Sequence, residues 1–412
     1  MIKRENVFIL ILLCELYLPS YKLNFFIQTT TLLVLFFLGK KTISRRFFKV
    51  ILPIIFIFLL GFLGCFFNNY IFSDFFKDVT YFLKPIVNLT LSYLLIKNNK
   101  NLISFLRIIT YFALFSALIH LFGVFIIGDF SNNIHKIRGD FGLDNFIEIF
   151  AFFVLLFSNK FLKESLYKYR FSFYLMLSLL LISILLYFSR TMFVMFFLVG
   201  ITILGYSKIT LKSLKIISVF TLVLSLFYLY LFSIKINRNS DGVEALMYKI
   251  KIAPEEIFKT KIDRENHKDL WDHWRGYEVK RAIKLMNENP SSYFIGTGFG
   301  SLVNLKFKAP VSENGMKFIS RLHNGYIFTL YKTGVFGLFF LCVFLFNLYK
   351  RIYSIRNSDN SEGVFIKKLI SAIGLFYLFS TLIITGIYIP NDTLIFILGG
   401  LLFYNENNKI IT

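Results

Sequence analysis

Residues 171–206 read FSFYLMLSLLLISILLYFSRTMFVMFFLVGITILGY, and Arg190 is their only charged residue. Two apolar runs, 171–188 and 190–206, meet at Ser189 and Arg190 with almost no loop between them. A helix needs about 20 mostly apolar residues to cross the hydrocarbon core of a bilayer. Runs of this kind recur along most of the 412 residues. The composition agrees: 56% of residues are hydrophobic, 19% aromatic and only 17% charged, with a mean hydropathy of +0.64. A soluble chain of this length carries more charge. The runs are continuous rather than alternating, which argues against a β-barrel. The expectation is an all-α integral membrane protein.

Working outward from this pair, twelve spans are expected. They lie near 5–18, 23–39, 47–67, 74–96, 103–127, 146–158, 171–188, 190–206, 212–233, 324–348, 364–387 and 391–404. The first, after the basic start MIKR, has no small-x-small cleavage site, so it reads as a helix that stays rather than a signal peptide. The net charge of +22 would point a soluble protein toward nucleic acid. Here the cations set topology instead. With the N-terminus inside, inner segments hold 23 Lys and Arg, and the short outer loops hold four: Lys22, Lys136, Arg138 and Arg190. That asymmetry predicts cytoplasmic termini. Cys14, Cys65 and Cys342 all fall inside apolar runs without paired or metal-ligand spacing.

One segment breaks the rhythm. Residues 234–322 are polar, with 16 Lys and Arg and 11 Asp and Glu, and fall on the outer side. So long a stretch without structure is uncommon, so a small folded subdomain is expected. HKDLWDHWRGYEVKRAIKLMNENP (267–290) reads as a helix with Trp274, Tyr277, Arg281 and Leu285 at helical spacing, ended by Pro290. GVEALMYKIKIAPEEIF (242–258) reads as a second, amphipathic one. The domain reading is 1–233 as spans one to nine, 234–322 as the outer subdomain, and 323–412 as spans ten to twelve.

Charged groups inside or beside spans each carry two readings. Asp78, Lys84 and Glu148 are either intrahelical or snorkelling groups or parts of a pathway. In IRGDFGLDNF (137–146), Arg138 and Asp140 form either a surface pair in a reverse turn or one wall of a pocket. Arg190, flanked by Ser189 and Thr191, is either an anchor to headgroup phosphate or a phosphate site, to which its planar fork is suited. Arg275 and Arg281 ride the predicted loop helix beside Trp271 and Trp274, as a solvated basic face or as a site. GTGFG (296–300) lacks the Lys-Ser/Thr of a P-loop, and reads as a flexible backbone turn. In SRLHNGYIF (320–328), His323 and Asn324 stand at a helix start behind Arg321. Histidine titrates near neutrality and can accept a proton from a hydroxyl. Asn324 or His323 could equally be a helix cap. On this topology Arg138, Arg190, Arg275, Arg281, Arg321 and His323 all share the outer face.

Three stretches resemble the O-antigen polymerase and O-antigen ligase superfamily. IRGDFGLDNFIEIF is similar to its Arg-Gly-Phe loop before a span, with Leu-Asp-Asn at 143–145 where a Pro-Asn pair is common. YFSRTMFVMFF is similar to its Ser-Arg between spans. WRGYEVKRAIKLMNENPSSYFIGTGFGSL followed by HNGYIFTLYKTGVFGL is similar to its large outer loop and the His-Asn entry to the next helix. The resemblance implies a GT-C-like fold of about 12 transmembrane helices with one large periplasmic loop, in the bacterial inner membrane. It implies a metal-independent, inverting glycosyltransferase without cofactor, acting at the periplasmic face. The donor would be a glycan on undecaprenyl diphosphate, and a second lipid-linked repeat unit the acceptor. Arg190 and Arg275 would bind the diphosphate, with Arg138, Arg281 and Arg321 beside them. His323 would be the base, supported by Asn324, Asp140 and Ser189. Membrane lipids and a polysaccharide chain-length regulator are candidate partners, and nucleic acid is not. Polymerases of that superfamily are divergent and rich in Phe, Ile, Asn and Lys, as this chain is, so the resemblance leans toward a repeat-unit polymerase. A ligase that moves finished polymer to lipid A–core shares the same motifs. A lipid-linked sugar flippase is the alternative of another class, although its polar groups would gather near the midplane.

Overall fold

The computed structural model describes residues 3–38, 43–97, 101–128, 145–238, 242–259, 261–263, 265–309 and 315–407. Every one of the twelve apolar runs is a helix: α1 (Arg4–Tyr17), α2 (Tyr21–Leu38), α3 (Arg45–Leu63), α4 (Phe72–Ile96), α5 (Leu102–Phe122), α6 (Phe146–Phe161), α7 (Arg170–Leu186), α8 (Arg190–Leu204) and α9 (Leu211–Ser233), then, beyond the loop subdomain, α14 (Gly325–Tyr349), α15 (Ser361–Ile383) and α16 (Thr393–Asn407). Six helical segments are long and apolar enough to cross a membrane: Arg45–Phe66, Phe72–Ile96, Leu102–Ile126, Leu211–Ser233, Gly325–Ser354 and Ser361–Ile383. The other six are shorter, and of these the segments Tyr21–Phe37, Arg170–Leu186 and Arg190–Leu204 are apolar, so six of the twelve expected spans have the length to cross a membrane. The molecule is an all-α membrane protein.

Side-chain caps start several of these helices. Asn101 accepts from Ser104 N, Thr210 and Ser213 form a capping box, and Asn360 accepts from Gly363 N. Each satisfies backbone donors that the first turn leaves free. α4 packs against α16, α14 against α3 and α15, and α5 against α6 and α7. α9 is different: it buries only Ser213 and Leu231. An apolar helix uncovered on nearly all faces is suited to lipid rather than water.

Inside the bundle Lys84 and Asp78 are ion-paired across helices, and Glu148 is hydrogen-bonded across them. Lys84 meets Glu15 at 2.8 Å, and Asn24 and Gln28 also donate to Glu15. Glu148 accepts from Ser116, Asn145, Ser183 and Tyr187. Asp78 pairs with Lys332, both fully buried, and the Gly300 N–H donates to Asp78 at 2.7 Å. Buried charges persist in such surroundings only when paired and hydrogen-bonded.

This last pair explains the glycine-rich stretch. α14 is broken at Gly334, whose φ of 69° is left-handed. A break frees carbonyls that the next turn would have bonded. The Thr297 N–H donates to the Tyr331 carbonyl at 2.8 Å, and Gly298 N–H to that of Lys332 at 3.0 Å. Phe299 N–H reaches the Gly61 carbonyl of α3, and its ring is fully buried beside Phe58, Phe62 and Phe82. GTGFG is therefore not a flexible turn, as its composition implied. It is a buried wedge, with Gly296, Gly298 and Gly300 at positive φ, that repairs a broken membrane helix.

The polar segment holds helices and a hairpin, with one surprise. α10 (Gly242–Phe258) is the amphipathic helix. The predicted helix 267–290 is two pieces, α11 (His267–Asp272) and α12 (Trp274–Glu288), separated at His273. A short α13 (Ser292–Ile295) leads to an antiparallel hairpin of β1 (Val303–Ala309) and β2 (Met316–Ile319) that composition did not reveal. Trp274 and Tyr277 pack on Phe307, and Tyr277 donates to the Leu305 carbonyl at 2.6 Å, which seats α12 on the hairpin.

Candidate functional site

The site forms where α12, α10 and the start of α8 meet the residues leading into α14. Asn324 is the N-cap of α14: its side chain accepts from Ile327 N at 3.0 Å. This fixes the turn that carries His323. The His323 backbone N–H donates to Glu278 Oε2 at 2.9 Å, and its Nδ1 lies 2.9 Å from the same carboxylate. Glu278 is 3% exposed and the His323 side chain 50%, so a buried acid holds a reachable imidazole. With Nδ1–H donating to Glu278, Nε2 is left as the free acceptor of the neutral ring. Among the described residues no hydrogen bond occupies it.

One turn before Glu278 on α12 stands Arg275, whose Nη1 meets Glu256 of α10 at 2.6 Å. The other oxygen of Glu256 meets Nη2 of Arg190 at 2.9 Å, and Arg190 Nη1 donates to the Lys249 carbonyl at 2.6 Å. One carboxylate thus gathers two guanidiniums, 24% and 27% exposed, from two distant parts of the chain. Burial pushes the Arg275 guanidinium down from its usual value, Glu256 opposes this, and nearby Arg190 adds to it. Two cations sharing one anion at an accessible edge leave donors for a further anion.

Local backbone sets this geometry. Phe188, just before Ser189 and Arg190, has φ 47°, a left-handed turn after which α8 packs against α15 and α6. Ser189 is buried and precedes α8 without capping it through its side chain. Gly276 is where α12 crosses α10: a Cβ there would lie 3.1 Å from the Glu256 carbonyl oxygen. The glycine that weakens the helix in isolation lets Glu256 approach Arg275.

The remaining sequence candidates lie elsewhere. Arg281 is 8% exposed, and its Nε donates to the Asn304 carbonyl at 2.8 Å, so it faces the hairpin rather than the Glu256 cluster. Arg321 stacks over the Tyr81 ring at 5.3 Å, toward α4. Arg138 and Asp140 lie outside the described residues. Sequence reasoning missed Glu256 and Glu278. Glu278 had a signal: with Trp274, Arg281 and Leu285 it completes one helical stripe, and an acid on a buried stripe needs a partner. Glu256 had none beyond its place in an amphipathic helix.

Residues 173–342 match the family model described as O-antigen ligase. The matched stretch holds Arg190, Glu256, Arg275, Glu278 and His323 together, and its match supports the resemblance to the O-antigen polymerase and ligase superfamily. No curated protein matches the chain.

Proposed function

We propose that the protein is a membrane glycosyltransferase that polymerises surface-polysaccharide repeat units from an undecaprenyl-diphosphate-linked donor. The observation that carries this reading is the half-exposed His323, oriented by buried Glu278, one helical turn from the Arg190–Glu256–Arg275 cluster. The donor diphosphate binds the open edges of Arg190 and Arg275. The non-reducing-end hydroxyl of the acceptor repeat unit donates its hydrogen bond to His323 Nε2. Its oxygen attacks the anomeric carbon as the bond to the diphosphate oxygen breaks, which inverts that centre. The hydroxyl proton passes to His323, Glu278 stabilises the imidazolium, and the arginines hold the charge of the departing diphosphate. An activated leaving group needs charge stabilisation and a base, and this site offers both.

In this reading the chain crosses the bacterial inner membrane twelve times with both termini cytoplasmic, and 234–322 is a periplasmic subdomain over the donor's diphosphate. The asymmetry of Lys and Arg supports that sidedness. The family model's description favours a second reading, transfer of finished polymer to lipid A–core. The glycan phenotype of a deletion strain separates them. A single repeat unit on lipid A–core supports the polymerase. Polymer stranded on undecaprenyl diphosphate supports the ligase. Repeat units held on the cytoplasmic leaflet would replace both readings with a flippase.

A further inference from the structure

At the opposite end of α14 from His323, two adjoining clefts open between helix ends. One, of about 270 Å³, is lined by Arg46, Lys49, Arg351, Asn405 and Glu406. The other, of about 320 Å³, shares Lys49 and Arg351 and adds Asn347 and Lys350. Four cations from the start of α3 and the end of α14 therefore converge, though some 300 residues separate them in sequence.

Their charge is answered by a single carboxylate among the lining residues. Glu406 is the one carboxylate in the lining, and its Oε2 already accepts from Ser44 at 2.6 Å and Tyr93 at 3.1 Å. Among the described residues none of the four cations forms a salt bridge. The Nε of Arg351 is buried without a hydrogen-bond partner. An unpaired buried donor carries a desolvation cost that a ligand would remove. Arg46 also sits in the first turn of α3, where the free N–H groups and the dipole favour an anion over a cation. The charge asymmetry that sets topology asks only for cations on one side. It does not ask that they line a common cavity.

We propose that this double cleft binds the phosphate of an anionic lipid headgroup. Guanidinium forks and lysines match phosphate oxygens, and basic pockets between membrane helices suit anionic headgroups. The neighbours favour a lipid over a free ion. Phe48, beside Lys49, is 48% exposed, and Phe346, beside Asn347, is 56% exposed, so apolar rings flank the charged lining where acyl chains would run.

The test uses the purified full-length protein in phosphatidylcholine nanodiscs, with and without phosphatidylglycerol, and separately with millimolar inorganic phosphate. Phosphatidylglycerol should raise Tm by roughly 2–4 °C, as a ligand that binds only the folded state does. The rise should vanish in the double variant Arg46→Gln/Lys49→Gln, whose two side chains are exposed and leave the core untouched. It should persist in Lys212→Gln/Lys215→Gln, exposed cations outside the clefts that report general surface attraction. No rise with phosphatidylglycerol, or an equal rise in the cleft variant, overturns the proposal. So does an equal rise with inorganic phosphate alone that the cleft variant abolishes, since it assigns the cleft to free phosphate.

Discussion

Two carboxylate–cation clusters are joined by α14, and they behave as opposites. At its entrance, Glu278 holds His323 and Glu256 gathers Arg190 and Arg275, with every partner of these acids partly open. About two and a half turns further along lies the Asp78–Lys332 pair, both side chains fully buried. The inner pair is shut away from solvent: Lys332 also donates to the Ser301 carbonyl, Asp78 Oδ2 accepts from Gly300 N, and the one atom left without a partner, Asp78 Oδ1, is buried. The outer cluster has donors to spare and a free imidazole nitrogen. Buried charge alone does not mark a site. Unspent hydrogen-bonding capacity on an accessible edge does. The inner pair is architecture, locking the glycine-rich wedge to the broken helix, and the wedge in turn fixes the loop that delivers His323.

The sharpest way to break this contrast is to remove one partner of the inner pair. Asp78→Ala leaves Lys332 buried and unpaired, a cost of about 3–5 kcal/mol. Folded protein in the membrane fraction should fall, and glycan synthesis with it. The double variant Asp78→Ala/Lys332→Met should recover much of the protein level; failure to recover would give the pair a role beyond packing. Gly334→Ala is next, because a side chain at φ 69° is strained and its Cβ would fall 2.1 Å from the Phe294 carbonyl oxygen. Loss of protein level is expected, read by quantitative immunoblot.

At the outer cluster the opposite pattern is expected: protein retained, activity lost. Glu278→Gln should keep the fold and lower transfer roughly 10- to 100-fold, since an orienting partner of a functional histidine carries about that effect. Arg275→Lys keeps the charge but loses the fork, and should cost about tenfold, seen mainly as weaker donor binding. The smallest effect concerns Asp269 in the loop subdomain. Lys259 and the Asp263 N–H hold its carboxyl below the usual range, against a desolvation that raises it. A depressed folded-state value contributes stability above the ordinary aspartate range and loses it as pH falls through the depressed value. Acidification should therefore loosen α11 slightly, and Asp269→Asn should remove that pH dependence, measured by amide exchange.

Much of this was legible in sequence. Apolar runs locate twelve helices, six of them long and apolar enough to cross a membrane, because lipid demands continuous hydrophobicity, and the Ser-Arg between two runs leaves Arg190 nowhere to go but a helix start. His323 and Asn324 were visible for the same reason, as polar residues at a threshold. What sequence could not supply is which charges meet. Glu256 and Arg190 are far apart in the chain and join only when α10 folds over α8. The wedge role of GTGFG was hidden because glycines report permitted backbone angles, not burial. Arg281 and Arg275 looked equivalent on one helix; six residues place them about 240° apart around its axis, which sends one to the hairpin and the other to Glu256.

The central claim is that His323 is the base of a glycan transfer at this cluster. Its direct test is the rate of product formation by purified protein from a defined undecaprenyl-diphosphate-linked repeat unit, with wild type and His323→Ala at equal folded concentration. Loss of a general base lowers the rate by about 100- to 10,000-fold, and donor binding should survive because Arg190 and Arg275 remain. A His323→Ala variant that elongates the glycan at the wild-type rate contradicts the account.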